Sequence, residues 1–235
     1  MSAGASPEEF MLDIPSFDVS LTNMKSRPAA LARREYTQTV RAQAAEETGK
    51  RIVEAFIARL MSDWFDQITL DVIAADAGVT VQTIIRRFGG KEGLLGDAVK
   101  ILTERINAQR GSPAGNVDAM VRSLYEDYER TGDAVIRLLA LEPRYQTISY
   151  LTNAGRREHR KWVSDAMADA LSKSPADRRQ RLLDKLVIVT DVYTWKLLRR
   201  DMDRSLATAI ATTKGMVDAV IGETNADNSH INSKS

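Results

Sequence analysis

Thr69 to Leu95 reads TLDVIAADAGVTVQTIIRRFGGKEGLL. Two short apolar-periodic runs flank one glycine, and a basic cluster follows. Thr69 can cap a helix in which Leu70, Ile73, Ala74 and Ala77 share a face, and Gly78 stands where a helix needs a left-handed closing residue. Thr80 caps a second helix, with Val81, Ile84, Ile85 and Phe88 at apolar-contact spacing, before Gly89 and Gly90 stop it. Ala74, Ala77 and Val79 are small enough for the two helices to cross closely.

Such a corner has the parts of a helix-turn-helix, in which the second helix enters a DNA major groove. Ile84 and Phe88 would anchor that helix to its neighbour, leaving Gln82, Thr83, Arg86 and Arg87 outward. Gln and Thr can bond base edges, and Arg serves bases or phosphates. Lys91 and the amides opening the next helix are placed for a backbone phosphate.

Upstream, Ile52, Ala55, Phe56 and Leu60 follow one helical face, widened by Val53, Ile57 and Trp64, which predicts a helix starting near Arg41. Before it, Pro7, Pro15 and Pro28 interrupt a stretch with little periodicity, so residues 1–40 read as a flexible basic extension. The spacing of Ser6, Pro7 and Glu9 allows one capped turn within it. Downstream, the pattern predicts helices near 92–109, 117–131, 133–141, 147–172, 176–200 and 205–221, with a break at Gly132 and a polar, disordered tail over 223–235. No stretch alternates with a strand period. The organisation expected is all-α: a three-helix domain over 41–95 and a larger helical domain over 96–222.

The helix over 176–200 carries two apolar stripes, one through Leu182, Leu186, Val189, Tyr193 and Leu197 and one through Leu183, Val187, Thr194 and Leu198. The last helix adds the small-residue run ATAIATTKG from Ala207. Both sides of the first need a partner, so these two helices are expected to form a homodimer interface.

Composition bounds the rest. The chain has 235 residues, 28% of them charged, no cysteine, and a net charge of +1. No disulfide framework or thiolate metal site can be built, and no whole-molecule field draws the protein to nucleic acid. Any such contact must come from local placement, in the cluster Arg86, Arg87 and Lys91 or in an arm that includes Arg33 and Arg34. The start MSAGASPEEFMLDIP carries acids where a secretory leader is basic, and no apolar run reaches membrane length, which points to the cytoplasm.

The segment ITLDVIAADAGVTVQTIIRRFGGKEGLL, preceded by RIVEAFIARLMSDWF, resembles the N-terminal domain of the tetracycline-repressor (TetR) family of transcriptional regulators. The likeness covers about Ala45 to Asp97 and includes the IA..AGV element, Thr83, Phe88 and Lys91-Glu92. It implies a dimeric all-helical regulator with a variable C-terminal domain that binds a small molecule. By that resemblance Thr69 opens the second helix at a phosphate, Thr80, Val81, Gln82 and Thr83 meet bases and nearby backbone, and Arg87 and Lys91 contact phosphates. Ile85 replaces the family's usual Tyr and can offer only an apolar contact, such as to a thymine methyl. Arg87 replaces a usual His or Tyr. The long arm exceeds the family's short tail, and Arg33 and Arg34 could enter a minor groove or remain solvated.

For the small molecule, Tyr125, Tyr128, Tyr150, Trp162, Met167 and Tyr193 are the candidate lining residues, because aromatic rings give large contact area with a polar handle. FGGKEG lacks the leading glycine spacing and the hydroxyl residue after Lys that a phosphate loop requires. His159 and His230 are the only histidines, so neither a metal set nor a nucleophile-base pair is assembled. The stretch around His159 reads as a charged helix face with Trp162 turned inward. No cofactor and no enzymatic activity are expected. A helical interaction module that binds protein but not DNA is the alternative.

Overall fold

The computed structural model describes the backbone of residues 29–110 and 115–232 and the side chains of residues 38–109 and 115–223. The possible cap at Ser6 and the side chains of Arg33 and Arg34 lie outside the described residues. The described residues divide between Ala45 and Glu46 into two units. Among the described residues every regular element is helical, and no helix is long and apolar enough to cross a membrane.

The elements are α1 (Ala29–Ser62), α2 (Leu70–Ala77), α3 (Val81–Phe88), α4 (Lys91–Arg110), α5 (Val117–Leu141), α6 (Gln146–Ala166), α7 (Ala168–Lys173), α8 (Ala176–Val189), α9 (Val192–Lys196) and α10 (Leu206–Asn232), with a π-helical turn over Leu197–Asp201. α1 starts well before Arg41, because AALARREY after Pro28 is made of helix formers with no breaker. α10 likewise runs past 221 into the tail expected to be disordered, since polar composition alone does not interrupt a helical backbone.

Two apolar clusters organise residues 46–235. One gathers Ile52, Phe56, Phe65, Ile73, Ile84 and Leu94, and takes in Leu141 and Ile148 from α5 and α6. The other gathers Met120, Leu124, Val163, Leu186, Trp195 and Val217. Trp64, expected on the core stripe of α1, is exposed: the helix has ended at Ser62, and the chain turns so that Phe65 takes the buried place.

The break expected at Gly132 does not occur. α5 passes through it unbroken, and a Cβ there would stand 2.5 Å from the Trp195 ring. The residue is a seat for a large ring, not a helix stop. Conversely, the single helix expected over 176–200 is interrupted. Thr190 turns its hydroxyl back to the Leu186 carbonyl at 2.7 Å, and Asp191 accepts from the Tyr193 amide at 2.9 Å to cap a new helix. The helix expected over 147–172 divides at Met167.

Trp195 is fully buried, and its ring nitrogen donates to Glu129 at 2.8 Å. Arg199 from the π-helical turn grips the same carboxylate through Nε at 2.7 Å and its terminal nitrogen at 2.9 Å, which holds Glu129 below the usual carboxylate range. Arg200 lies 4.5 Å over the Trp195 ring and pairs with Asp133.

Candidate nucleic-acid interface and effector chamber

The α2–α3 corner is built by capping. Thr69 accepts from the Val72 amide at 3.3 Å, and Thr80 accepts from the Thr83 amide at 3.3 Å. Between them Gly78 takes φ 64°, its N–H donating to Ala75 and that of Val79 to Ala74, the paired bonds of a Schellman turn. Such a backbone suits glycine because a Cβ is strained at positive φ. Arg59 on α1 holds Asp76 of α2 at 2.6 and 3.0 Å, which lowers that carboxyl's affinity for protons and fixes the first helix of the corner.

α3 is sharply two-faced. Ile84 is fully buried, and Phe88 packs on the same cluster. That anchoring is worth about 1.5–3 kcal/mol for the isoleucine side chain alone. Gln82, Arg86 and Arg87 are exposed, Val81 and Thr83 are half-buried, and Ile85 is 42% exposed. The hydroxyls of Thr80 and Thr83 stand 3.0 Å apart. Arg87 lays its guanidinium across the bare backbone of Gly49 on α1, so its charge sits at the flank of α3 and not at its outer crest. Arg51, absent from the sequence candidates, stands beside the turn, 3.9 Å from where a Gly78 Cβ would be.

Lys91 differs from its expected placement. Its ammonium donates to the carbonyls of Phe65 at 2.8 Å and Ile68 at 2.9 Å and lies 4.5 Å over the Phe65 ring. Burial lowers its pKa. The chain between α1 and α2 leaves these carbonyls without helical partners, and the lysine supplies them, so the side chain is turned inward.

A chamber of about 230 Å³ opens between α4, α5, α6 and α9, with residues of the last turn of α1 also in its lining. Tyr128, Trp162 and Tyr193 line it. The other three candidates lie elsewhere. Tyr125 is buried in the second cluster with its hydroxyl 2.6 Å from Thr213, Met167 is core, and Tyr150 is 70% exposed on α6. Helical spacing alone cannot tell a ring that faces a void from one that faces a neighbour. Sequence reasoning missed Asp127 and His159 as lining groups. Asp127 is only 1% exposed, and His159 reaches Thr190 with Nε2 at 3.2 Å while stacking on Trp162. The signal available was the run 127, 128, 131, 134, 135 and 138, one helical face mixing an acid and small residues.

Leu60 and Met61, in the last turn of α1, line the chamber. Their carbonyls accept from Arg137 of α5 at 3.2 and 2.7 Å. Arg144 pairs with Asp66 at 3.2 Å, Thr147 donates to Glu92, and the Tyr145 and Phe65 rings meet edge to face at 5.5 Å. Polar and aromatic contacts thus join α5 and α6 to the helices around the corner.

Residues 65–98 match the family model described as bacterial regulatory proteins, tetR family. No curated protein matches the sequence. Among solved structures the chain is similar to a TetR transcriptional regulator from Streptococcus agalactiae 2603V, at 20% identity and TM-score 0.52, covering 77% of this chain and 98% of that one. A proposed fatty acid metabolism regulator of Clostridium perfringens gives 17% and 0.54, covering 72% and 97%. A proposed transcriptional regulator of Pseudomonas aeruginosa PAO1 gives 16% and 0.52, covering 75% and 91%. At these identities the structures carry the fold alone, and the likeness to the family model is confined to the corner. Its capped helices, its left-handed Gly78 and its two-faced α3 are the parts that the match spans. This helix-turn-helix, over residues 65–98, is the part of the chain that is similar to the tetR family of bacterial regulatory proteins.

Proposed function

We propose that the chain is a cytoplasmic repressor, not an enzyme, that binds a palindromic operator as a homodimer and is released when a small molecule fills the chamber. The observation that carries this reading is α3, with Ile84 sealed behind it and Gln82, Ile85 and Arg86 facing out. Gln82 reads a base edge, Thr80 and Thr83 reach bases and adjacent backbone with Val81, and Ile85 meets a thymine methyl. Thr69, Arg86 and Arg87 hold phosphates. The caps use the oxygen of Thr69 and leave its O–H free to donate to a phosphate oxygen.

A second copy docks on α8 and α10. Ile188 is 65% exposed, and Leu197, Met202 and Leu206 are exposed too, which a monomer leaves wet. Ala207, Ala211, Gly215 and Ala219 form an exposed stripe along α10 that admits a close helix. Two α3 helices would then enter major grooves about 34 Å apart. A ligand pressing on Leu60 and Met61 shifts the end of α1 that Arg137 clamps, and a coupling of about 1–3 kcal/mol makes a useful switch.

Selection of bound duplexes from a random pool tests this. A palindrome with half-sites one helical turn apart is the expected product. Recovery of no enriched sequence, at low salt and with intact protein, sinks the operator reading and favours a protein-binding module.

A further inference from the structure

From Glu46 onward the basic residues of α1 are Lys50, Arg51 and Arg59. Two of them are neutralised. Lys50 pairs with Glu46 at 2.9 Å one turn back, and Arg59 reaches across to Asp76 of α2. Glu54, the next acid along the helix, is taken by Arg105 of α4. Arg51 is exposed, and among the described residues no carboxylate comes within ion-pair distance of it, Glu47 one turn earlier included.

Where the side chain lies gives that charge a use. Its Nη1 stands 3.9 Å from the point where a Cβ on Gly78 would be, so the guanidinium lies over the left-handed turn between α2 and α3. Gly78 and Thr80 are both exposed, so the chain entering α3 is open to solvent beside it. Arg86 stands toward the other end of α3, exposed and likewise without an acid among the described residues. A helix of this length is about 12 Å long, so the two guanidiniums bracket the face that carries Gln82 and Ile85. In the C-terminal helices the pattern is different: Arg122, Arg144, Arg156, Arg160, Arg199 and Arg200 each hold a carboxylate. A cation beside a duplex gains free energy by releasing the counterions condensed on its phosphates, and an acid already paired to that cation cancels the gain.

We infer that Arg51 of α1 is a contact to the operator backbone, its guanidinium taking a phosphate oxygen beside the Gly78 turn while Arg86 takes a different phosphate at the far end of α3. This rests on α3 entering a major groove as proposed above. A phosphate is the same in every sequence, so Arg51 adds affinity and fixes the seating of α3 without reading bases. A purely internal role is the rival, because the C-terminal end of α2 carries partial negative charge that a cation above it offsets. The two roles differ in their response to salt.

The test is binding of the full chain to a mixed-sequence duplex of about 30 base pairs, followed by fluorescence anisotropy from about 0.05 to about 0.3 M salt. Melting curves set a temperature at which every variant is folded. Arg51→Ala is expected to weaken binding about tenfold near 0.1 M salt and to lower the slope of log affinity against log salt by about 0.9 for each protomer on the duplex, with the melting temperature unchanged. Arg51→Lys should restore most of the slope, since it keeps the charge. Arg86→Ala should lower the slope by a similar amount, and Arg157→Ala, at an exposed position of α6, should leave it alone. An unchanged slope in Arg51→Ala overturns the inference, and early melting of that variant would mark Arg51 as a brace for α2. An equal fall in Arg157→Ala overturns it too, since net charge would then be the cause. A lowered slope in Arg86→Ala without one in Arg51→Ala removes Arg51 and keeps α3 at the DNA. Duplex binding by the unaltered chain that is absent, or that ignores salt, removes the helix-turn-helix reading itself and Arg51 with it.

Discussion

The corner around Gly78 and the bundle around Trp195 solve opposite problems. The buried polar side chains among the described residues are Asp127, Ser174, Thr190 and Thr213, all in the C-terminal helices or the junctions between them, while the corner seals only apolar groups. A dry core such as Ile52, Phe56, Ile73 and Ile84 holds α3 in one orientation and leaves Gln82, Arg86 and Arg87 exposed. The C-terminal helices keep hydroxyls and carboxylates inside, some of them tied across the bundle, as Tyr125 is to Thr213 and Trp195 to Glu129. Buried polar groups of this kind specify geometry at some cost in stability. One region is a rigid presenter, and the other is a frame around a void.

Removal of the bundle's largest side chain is the strongest way to break this contrast. Trp195→Ala should cost about 3–5 kcal/mol in chemical denaturation, because it empties the seat on Gly132 and strips Glu129 of a donor. A loss below about 1 kcal/mol would mean the node is not part of the bundle's support. Ile84→Ala strikes the other region. It should cost about 2–4 kcal/mol and abolish DNA retention while the C-terminal helices stay folded, as separate near- and far-ultraviolet dichroism would show.

Lys91→Ala separates a structural from an electrostatic role. With two carbonyls orphaned it should cost about 2 kcal/mol, and the salt dependence of DNA binding should keep its slope. A slope lowered by about one unit would return Lys91 to the phosphate contacts. Glu129→Gln should cost about 1.5 kcal/mol near neutral pH. The Arg199 bond places the Glu129 pKa below its unfolded value, so the stabilisation is present above the unfolded pKa and lost as pH falls through the folded one. Melting of the two proteins should therefore converge in acid, and a constant gap would remove the charge from the account. The smallest effect is the cap: Thr80→Ala should cost about 1 kcal/mol and weaken DNA binding through a frayed α3.

The corner was legible in the sequence because its signals are local. A capping threonine, its helix and the closing glycine lie within a dozen residues, and each acts through bonds to its own neighbourhood. The chamber was half legible. Tyr128, Trp162 and Tyr193 were among its candidates, but Tyr125, with the same chemistry three residues from Tyr128, points into the second cluster. Gly132 was misread for a related reason. Its local propensity says break, and the ring that makes it necessary comes from Trp195, sixty-three residues on.

By itself the sequence determined the all-helical class, the capped corner and which side of α3 is greasy, since backbone hydrogen bonding and periodicity act over a few residues. Only the tertiary structure decided that Lys91 faces inward, that Arg137 clamps the end of α1 and that Asp127 and His159 look into a void. Those outcomes depend on how far a side chain reaches across the gap between helices and on what stands opposite, and neither quantity is written in the order of residues along one helix.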